Sequence, residues 1–157
     1  MSQLDSNRLA QLATDALERT AFVLVEHIEP EQAAELSAPD RFSRITYSGP
    51  SDGTFILGAT DGFLRELASS ILGVEPDEID LDAQGIDALK ELTNIIGGSG
   101  LLDLGGDKRL HSLGLPELMG SSAPENVETD HQCWLESEGE LLRVMWVPGK
   151  PAAAAAA

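Results

Sequence analysis

Residues 54–72 read TFILGATDGFLRELASSIL and join a strand-like run directly to a helix-like run. Thr54–Ala59 is a short apolar run typical of a buried strand. Thr60 or Asp61 can cap the helix that follows, and Gly73 can end it. Apolar residues recur in this helix at three- and four-residue spacing, which predicts that they face the core. They are Phe63, Leu64, Leu67, Ala68, Ile71 and Leu72. The stretch therefore indicates a fold that combines helices with a sheet.

Two hairpins are predicted on either side of this helix. Arg44–Ser48 precedes Thr54–Ala59, and the turn composition Gly49-Pro-Ser-Asp-Gly53 joins them. Near the C-terminus, His131–Glu136 and Leu141–Val147 flank a second turn. Each hairpin would contribute a pair of antiparallel strands to one sheet.

Two further helices complete the predicted layout. The first runs from Ser6, as N-cap, to about His27, with one apolar stripe along it. The other begins at Asp80 or Asp82, runs to about Ile96, and ends at Gly97-Gly98. Residues 99–129 are loop-rich, with room for one short strand or turn at 109–115. The fold class is α+β, an antiparallel sheet built from two hairpins with about three helices packed on one face.

Size and charge limit the classes of protein. The 157 residues are 42% hydrophobic, which fits a single domain over residues 1–151. The alanine run at 152–157 is predicted to lie outside this fold. The formal net charge is −17, from 27 acidic and 10 basic residues. This balance argues against nucleic acid and anionic membranes as partners, because both attract basic surfaces.

Localisation is predicted to be cytoplasmic. One cysteine, Cys133, cannot form an internal disulfide. No apolar run reaches the ~20 residues of a membrane-spanning helix, and residues 1–6 lack signal-peptide features.

Several catalytic arrangements are excluded by spacing. The three histidines are scattered, which does not favour a metal site. Cys133 and His131 lie in an apparent core strand with no third orienting group, so Cys133 is interpreted as a buried small apolar residue. The glycines at 97–100 are not followed by the Gly-Lys-Ser/Thr of a phosphate-binding loop.

The outer face of the last predicted helix carries the candidate site. Four polar residues share this face at i, i+3, i+4 and i+7 spacing: Asp87, Lys90, Glu91 and Asn94. The inward stripe on the opposite side consists of Ile86, Leu89, Thr93 and Ile96. Spacing alone is more typical of a solvated polar face. However, Asn94 has low helix propensity and no capping role, which slightly favours a functional site.

The run Lys90–Gly98 (KELTNIIGG) resembles the Glu-x-x-Asn signature of the CheX/CheC/FliY chemotaxis phosphatases. Residues 17–24 and 63–73 resemble two further helices of that family in the same order. The resemblance covers about residues 6–98. The first helix has Glu18 but Ala21 where a second Asn would stand, so the pattern is similar to the single-site CheX branch. Lys90 departs from the small residue usual before the Glu, and the stretch after Gly98 differs from the family's continuation.

This resemblance implies a CheC/CheX-like fold and hydrolysis of the aspartyl phosphate of a response-regulator receiver domain of the CheY type. Glu91 and Asn94 would be catalytic, and Asp87 and Lys90 would assist docking. The chain would need no cofactor of its own, since the receiver carries Mg²⁺. Some relatives dimerise through edge strands, and the C-terminal hairpin could offer such an edge for a homodimer.

Two other functions stay open from the sequence. A non-catalytic module could bind a receiver or a switch component through the same helix. A structural dimerisation module is the third class.

Overall fold

The computed structural model describes residues 3–107, 109–120, 127 and 129–150. The predicted alanine tail, 152–157, lies outside these residues, and a single domain over 1–151 stays a prediction. Four helices occur in the described residues: α1 (Ser6–Ala21), α2 (Pro30–Ala33), α3 (Asp61–Leu72) and α4 (Ile86–Asp103). The strands there are β1 (Glu26–Ile28), β2 (Arg41–Ser48), β3 (Gly53–Ala59), β4 (Ser112–Leu113), β5 (Glu117–Leu118), β6 (Gln132–Ser137) and β7 (Glu140–Pro148).

The strands form one antiparallel sheet in the order β1-β6-β7-β3-β2-β4, with β5 also pairing with β2. Both predicted hairpins are present as β2–β3 and β6–β7. They meet where β3 pairs with β7, with Phe55 opposite Trp146. The predicted fold class, α+β with an antiparallel sheet, is confirmed.

The main core lies between the sheet and the three long helices. Alternate residues of β7 divide between the two faces of the sheet, as the two-residue period of a strand requires. Leu142, Val144 and Trp146 belong to the cluster shared with α1, α3 and α4. Leu141 packs instead with α2 and its loop, and Met145 joins a third cluster on the outer face. The three long helices therefore share one face of the sheet, as predicted.

Helix α1 is shorter than predicted. Its N-cap is Asp5, whose carboxylate accepts a hydrogen bond from the Arg8 backbone N–H at 2.8 Å. The helix ends at Ala21 because Phe22 adopts a left-handed conformation, with φ of 55°. Glu26 and His27, predicted to be helical, belong to the edge strand β1 (Glu26–Ile28) instead. Pairing with β6 supplies the backbone hydrogen bonds that the helix would have supplied.

Helix α4 is longer than predicted, because Gly97 and Gly98 do not end it. The helix continues to Asp103, and the residues that sequence assigned to a loop at 99–103 are helical. A short strand does occur within 109–115, at Ser112–Leu113.

The predicted free edge of the C-terminal hairpin is wrong. β6 pairs with β1 and β7 pairs with β3, so the hairpin lies inside the sheet. A homodimer stays a prediction without this edge as its basis. Within the described residues, no helix is long and apolar enough to cross a bilayer.

Candidate functional site

Helix α4 is fixed against the sheet by its inner face. Leu89, Thr93 and Ile96 are fully buried. The Thr93 hydroxyl donates to the Leu89 carbonyl at 2.7 Å, which satisfies a polar group that would otherwise be costly to bury. Ile86, predicted to belong to this stripe, is only half-buried. The orientation of the helix about its axis is thus set by packing, and the opposite face points outwards.

The start of α4 is held by a second set of contacts. A π-helical turn, Leu81–Gly85, leads directly into the helix. The Asp80 carboxylate accepts from the Asp82 backbone N–H at 3.2 Å, as an N-cap does. Arg41 donates to Asp61 at 2.7 Å and to Asp82 at 3.0 Å, and so links β2, the start of α3 and this turn.

The four predicted site residues share the outward face of α4. Asp87, Glu91 and Asn94 are exposed, and Lys90 is half-buried. Successive residues of a helix are about 100° apart around its axis. Viewed along that axis, Glu91 therefore lies ~40° to one side of Asp87, and Lys90 lies ~60° to the other side of Asp87. Glu91 is on the side of α3, because it and Ala88 line a hollow with Ala68 of that helix. Asn94 lies between Glu91 and Lys90.

Glu91 and Asn94 make no side-chain hydrogen bond or ion pair to any other described residue. Other carboxylates of the chain do have such partners: Asp61 and Asp82 pair with Arg41, and Asp103 pairs with Arg8. Residues three apart on a helix are neighbours, with about 5–6 Å between Cβ atoms. A carboxylate and a carboxamide are therefore presented side by side with all their hydrogen-bonding capacity free.

Sequence reasoning missed an apolar part of this surface. Ile71 and Leu72, predicted to be core residues of α3, are 44% and 50% exposed. Their helical spacing is the same as that of Leu67 and Ala68, which are buried. Which turns of α3 are covered depends on the separate elements packed against it, so no local signal could have found them.

The chemistries excluded by sequence gain no support from the geometry. Cys133 is 1% exposed, and burial raises the pKa of its thiol to about 12, so the thiol stays protonated at neutral pH. The His131 ring packs edge-on against Trp146 at 4.8 Å between centroids. Among the described residues, no cluster of three or more His, Cys, Asp or Glu side chains could hold a metal ion.

Comparison with solved structures identifies the class of fold. The chemotaxis protein CheX from Vibrio vulnificus superposes with a TM-score of 0.67 at 16% identity, covering 88% of this chain and 95% of its own. CheX from Desulfovibrio desulfuricans gives 0.66 at 18% identity, with 91% and 97% covered. A chain of the CheX–CheY–BeF₃–Mg²⁺ complex from Borrelia burgdorferi gives 0.65 at 16% identity, with 94% of this chain and 100% of that chain covered. This chain therefore has the CheC/CheX fold.

The sequence itself places the chain within that class. The family model described as "Chemotaxis phosphatase CheX" matches residues 42–134, more than half of the chain and including the whole of α4. The chain belongs to the CheX family. No curated protein sequence gives a significant match to it.

Proposed function

We propose that this chain hydrolyses the aspartyl phosphate of a response-regulator receiver domain of the CheY type. The observation that carries the proposal is the pair Glu91 and Asn94, exposed on adjacent turns of α4 and without a side-chain partner among the described residues. Membership of the chemotaxis phosphatase family supports the choice of reaction.

Asn94 orients the water in this proposal. A carboxamide both donates and accepts hydrogen bonds, so it can hold a water in line with the phosphorus without acting as a base. The water oxygen bonds to phosphorus while the bond between phosphorus and the aspartate oxygen breaks. The receiver regains its carboxylate, and inorganic phosphate leaves with the proton that the water loses. Phosphoryl transfer needs mainly such positioning and charge neutralisation.

Glu91 docks the partner. Its carboxylate would pair with a lysine of the receiver's active site through a charge-assisted hydrogen bond. Because Glu91 is not paired with any described residue, this contact breaks none of the ion pairs that the structure describes. The buried inner face of α4 keeps the helix rigid, so the distance from Glu91 to Asn94 fixes where the water is held.

Asp87 and Lys90 flank these two residues and are proposed to assist docking. Lys90 lies on the side away from α3, where a cation would meet the acidic, phosphoryl-bearing part of a receiver. Lys90 is half-buried, and Asn94, four residues further along, is its neighbour on the helix surface. Mg²⁺, which neutralises phosphoryl charge, would be supplied by the receiver.

The test is turnover. Receivers phosphorylated with a small phosphodonor are mixed with a tenfold smaller amount of this chain, and phosphate release is followed. An enzyme should release many equivalents of phosphate per chain faster than the receiver does alone. A panel of receivers that all bind but show no acceleration would refute hydrolysis and leave a binding module.

A further inference from the structure

The last turn of α3 carries an apolar surface that no described part of the chain covers. Ile71 is 44% exposed, Leu72 is 50% exposed, and Val74, just beyond the helix, is 37% exposed. Single exposed apolar residues are normal on a protein surface. Two of these residues, Ile71 and Leu72, line the same hollow, and exposed apolar residues gathered at one place are typical of an interaction site.

This patch borders two hollows between α3 and α4. Their volumes are about 290 Å³ and 280 Å³. Ile71 and Glu91 line both, so the hollows form one surface that reaches the proposed site. We call this surface the α3–α4 groove, formed by Ala68, Ile71, Leu72, Ala88 and Glu91. Each hollow lies just below the ~300–1,000 Å³ range of small-molecule sites, which suits single side chains of a protein partner.

The charge at the groove is acidic. Asp87 and Glu91 line it, and none of its described lining residues is basic. Beyond Leu72, the chain continues with exposed Glu75, Asp77 and Glu78. A partner that fills this groove has the best electrostatic complementarity if its apolar side chain is flanked by cations.

We propose that the α3–α4 groove is a docking surface for the receiver domain, where it accepts an apolar side chain flanked by lysine or arginine beside the phosphorylated aspartate. This inference rests on the proposed function, since Glu91, which is proposed to pair with a lysine of the receiver's active site, also lines the groove. The groove selects among receivers, because contacts to the phosphoryl group cannot distinguish partners that all carry it.

The test compares two truncations of exposed apolar residues. Ile71→Ala removes a contact at the centre of the groove, whereas Leu102→Ala alters a 53%-exposed residue near the far end of α4. Affinity is measured for a receiver loaded with beryllofluoride and Mg²⁺, a stable mimic of its phosphorylated state. Ile71→Ala should raise Kd about tenfold, as loss of a central apolar contact does. Leu102→Ala should leave Kd unchanged, and Ile71→Leu should restore it.

The two proposals fail in different ways. Unchanged Kd in both Ile71→Ala and Leu72→Ala overturns the groove, even if phosphate release by the wild-type chain is fast. Weaker binding by Ile71→Ala supports the groove even if the wild-type chain releases no phosphate, and that second result refutes only hydrolysis. A wild-type chain that binds no phosphorylated receiver overturns the groove.

Discussion

Gly97 and Gly98 occupy the middle of α4, although a glycine pair commonly marks a helix end. A Cβ atom on Gly97 would lie 2.5 Å from Cγ2 of Ile45 in β2. The nearest atom to a Cβ on Gly98 is Cδ2 of Leu113, at 4.0 Å. Gly97 therefore allows the helix to approach the sheet closely, and Gly98 has no such role.

Substitution of these two glycines by alanine should have opposite effects on stability. Gly97→Ala should lower the free energy of unfolding by about 1–3 kcal/mol, because Ile45 is fully buried and must shift. Gly98→Ala should raise it by up to about 1 kcal/mol, because alanine is the better helix former. Urea denaturation of both variants measures the two values. A stabilised Gly97→Ala variant would contradict the packing described here.

Glu91 and Asn94 could be selected from sequence because the run Lys90–Gly98 resembles the Glu-x-x-Asn signature, whereas spacing alone favoured a solvated polar face. The sequence pattern was sufficient to place both on the exposed side of a helix, and their exposure agrees. It was not sufficient for Ile71, whose exposure depends on a neighbouring helix rather than on its own periodicity.

An ion pair joins the first turn of α1 to the last turn of α4. The Arg8 guanidinium donates two hydrogen bonds to the Asp103 carboxylate, with 2.9 Å between Nε and Oδ2. The hydrogen bonds from Arg8 lower the pKa of Asp103 below its usual value, despite partial burial that acts in the opposite direction. The pair thus links the first turn of α1 to the last turn of α4.

Removal of this pair should change how stability depends on pH. Since the folded-state pKa of Asp103 is depressed, its contribution is present above the unfolded pKa of about 3.9 and is lost as pH falls through the folded pKa. Asp103→Asn should therefore be less stable than wild type at pH 7, with the deficit shrinking as the pH falls below about 4. Thermal melts across this range measure the difference, with the exposed Asp77→Asn as control. A deficit that is constant with pH would contradict the assignment.

The ends of an element were predictable where capping is local, as in α3, and were not predictable where distant strands are involved. The Thr60 cap and the Gly73 end of α3 appear as predicted, because capping depends on neighbouring backbone groups. The end of α1 depends on β1 pairing with β6, more than one hundred residues later in the chain. Within α4, Gly97 and Gly100 allow close contact with Ile45 in β2 and Phe55 in β3, and the helix continues past them to Asp103. Such long-range contacts leave no local sequence signal.

The charge of the whole molecule is poorly compensated. The net charge is −17, whereas the described residues form only four ion pairs, made by Arg8, Arg41 and Arg44. Self-repulsion on this scale destabilises the compact state, and salt screens it with a Debye length of about 10 Å at 0.1 M.

Added salt should therefore raise the melting temperature at neutral pH. The increase should be largest between low ionic strength and about 0.1–0.2 M NaCl, where screening changes most. It should nearly vanish close to the isoelectric point, pI ≈ 4.2, where the net charge is small. Thermal melts over a salt series at both pH values measure this. A melting temperature that falls with salt at pH 7 would show that the few ion pairs outweigh the repulsion.

The role of Asn94 is the central claim for the whole molecule, and one substitution tests it most directly. Asn94→Ala should bind the beryllofluoride-loaded receiver nearly as tightly as wild type, since Glu91 and the α3–α4 groove remain. Its acceleration of phosphate release should fall by about 100-fold, because the attacking water is no longer held in line. The matched variant Asn7→Ala, at an exposed helical asparagine in α1, should release phosphate at the wild-type rate. Unchanged phosphate release by Asn94→Ala would contradict the account.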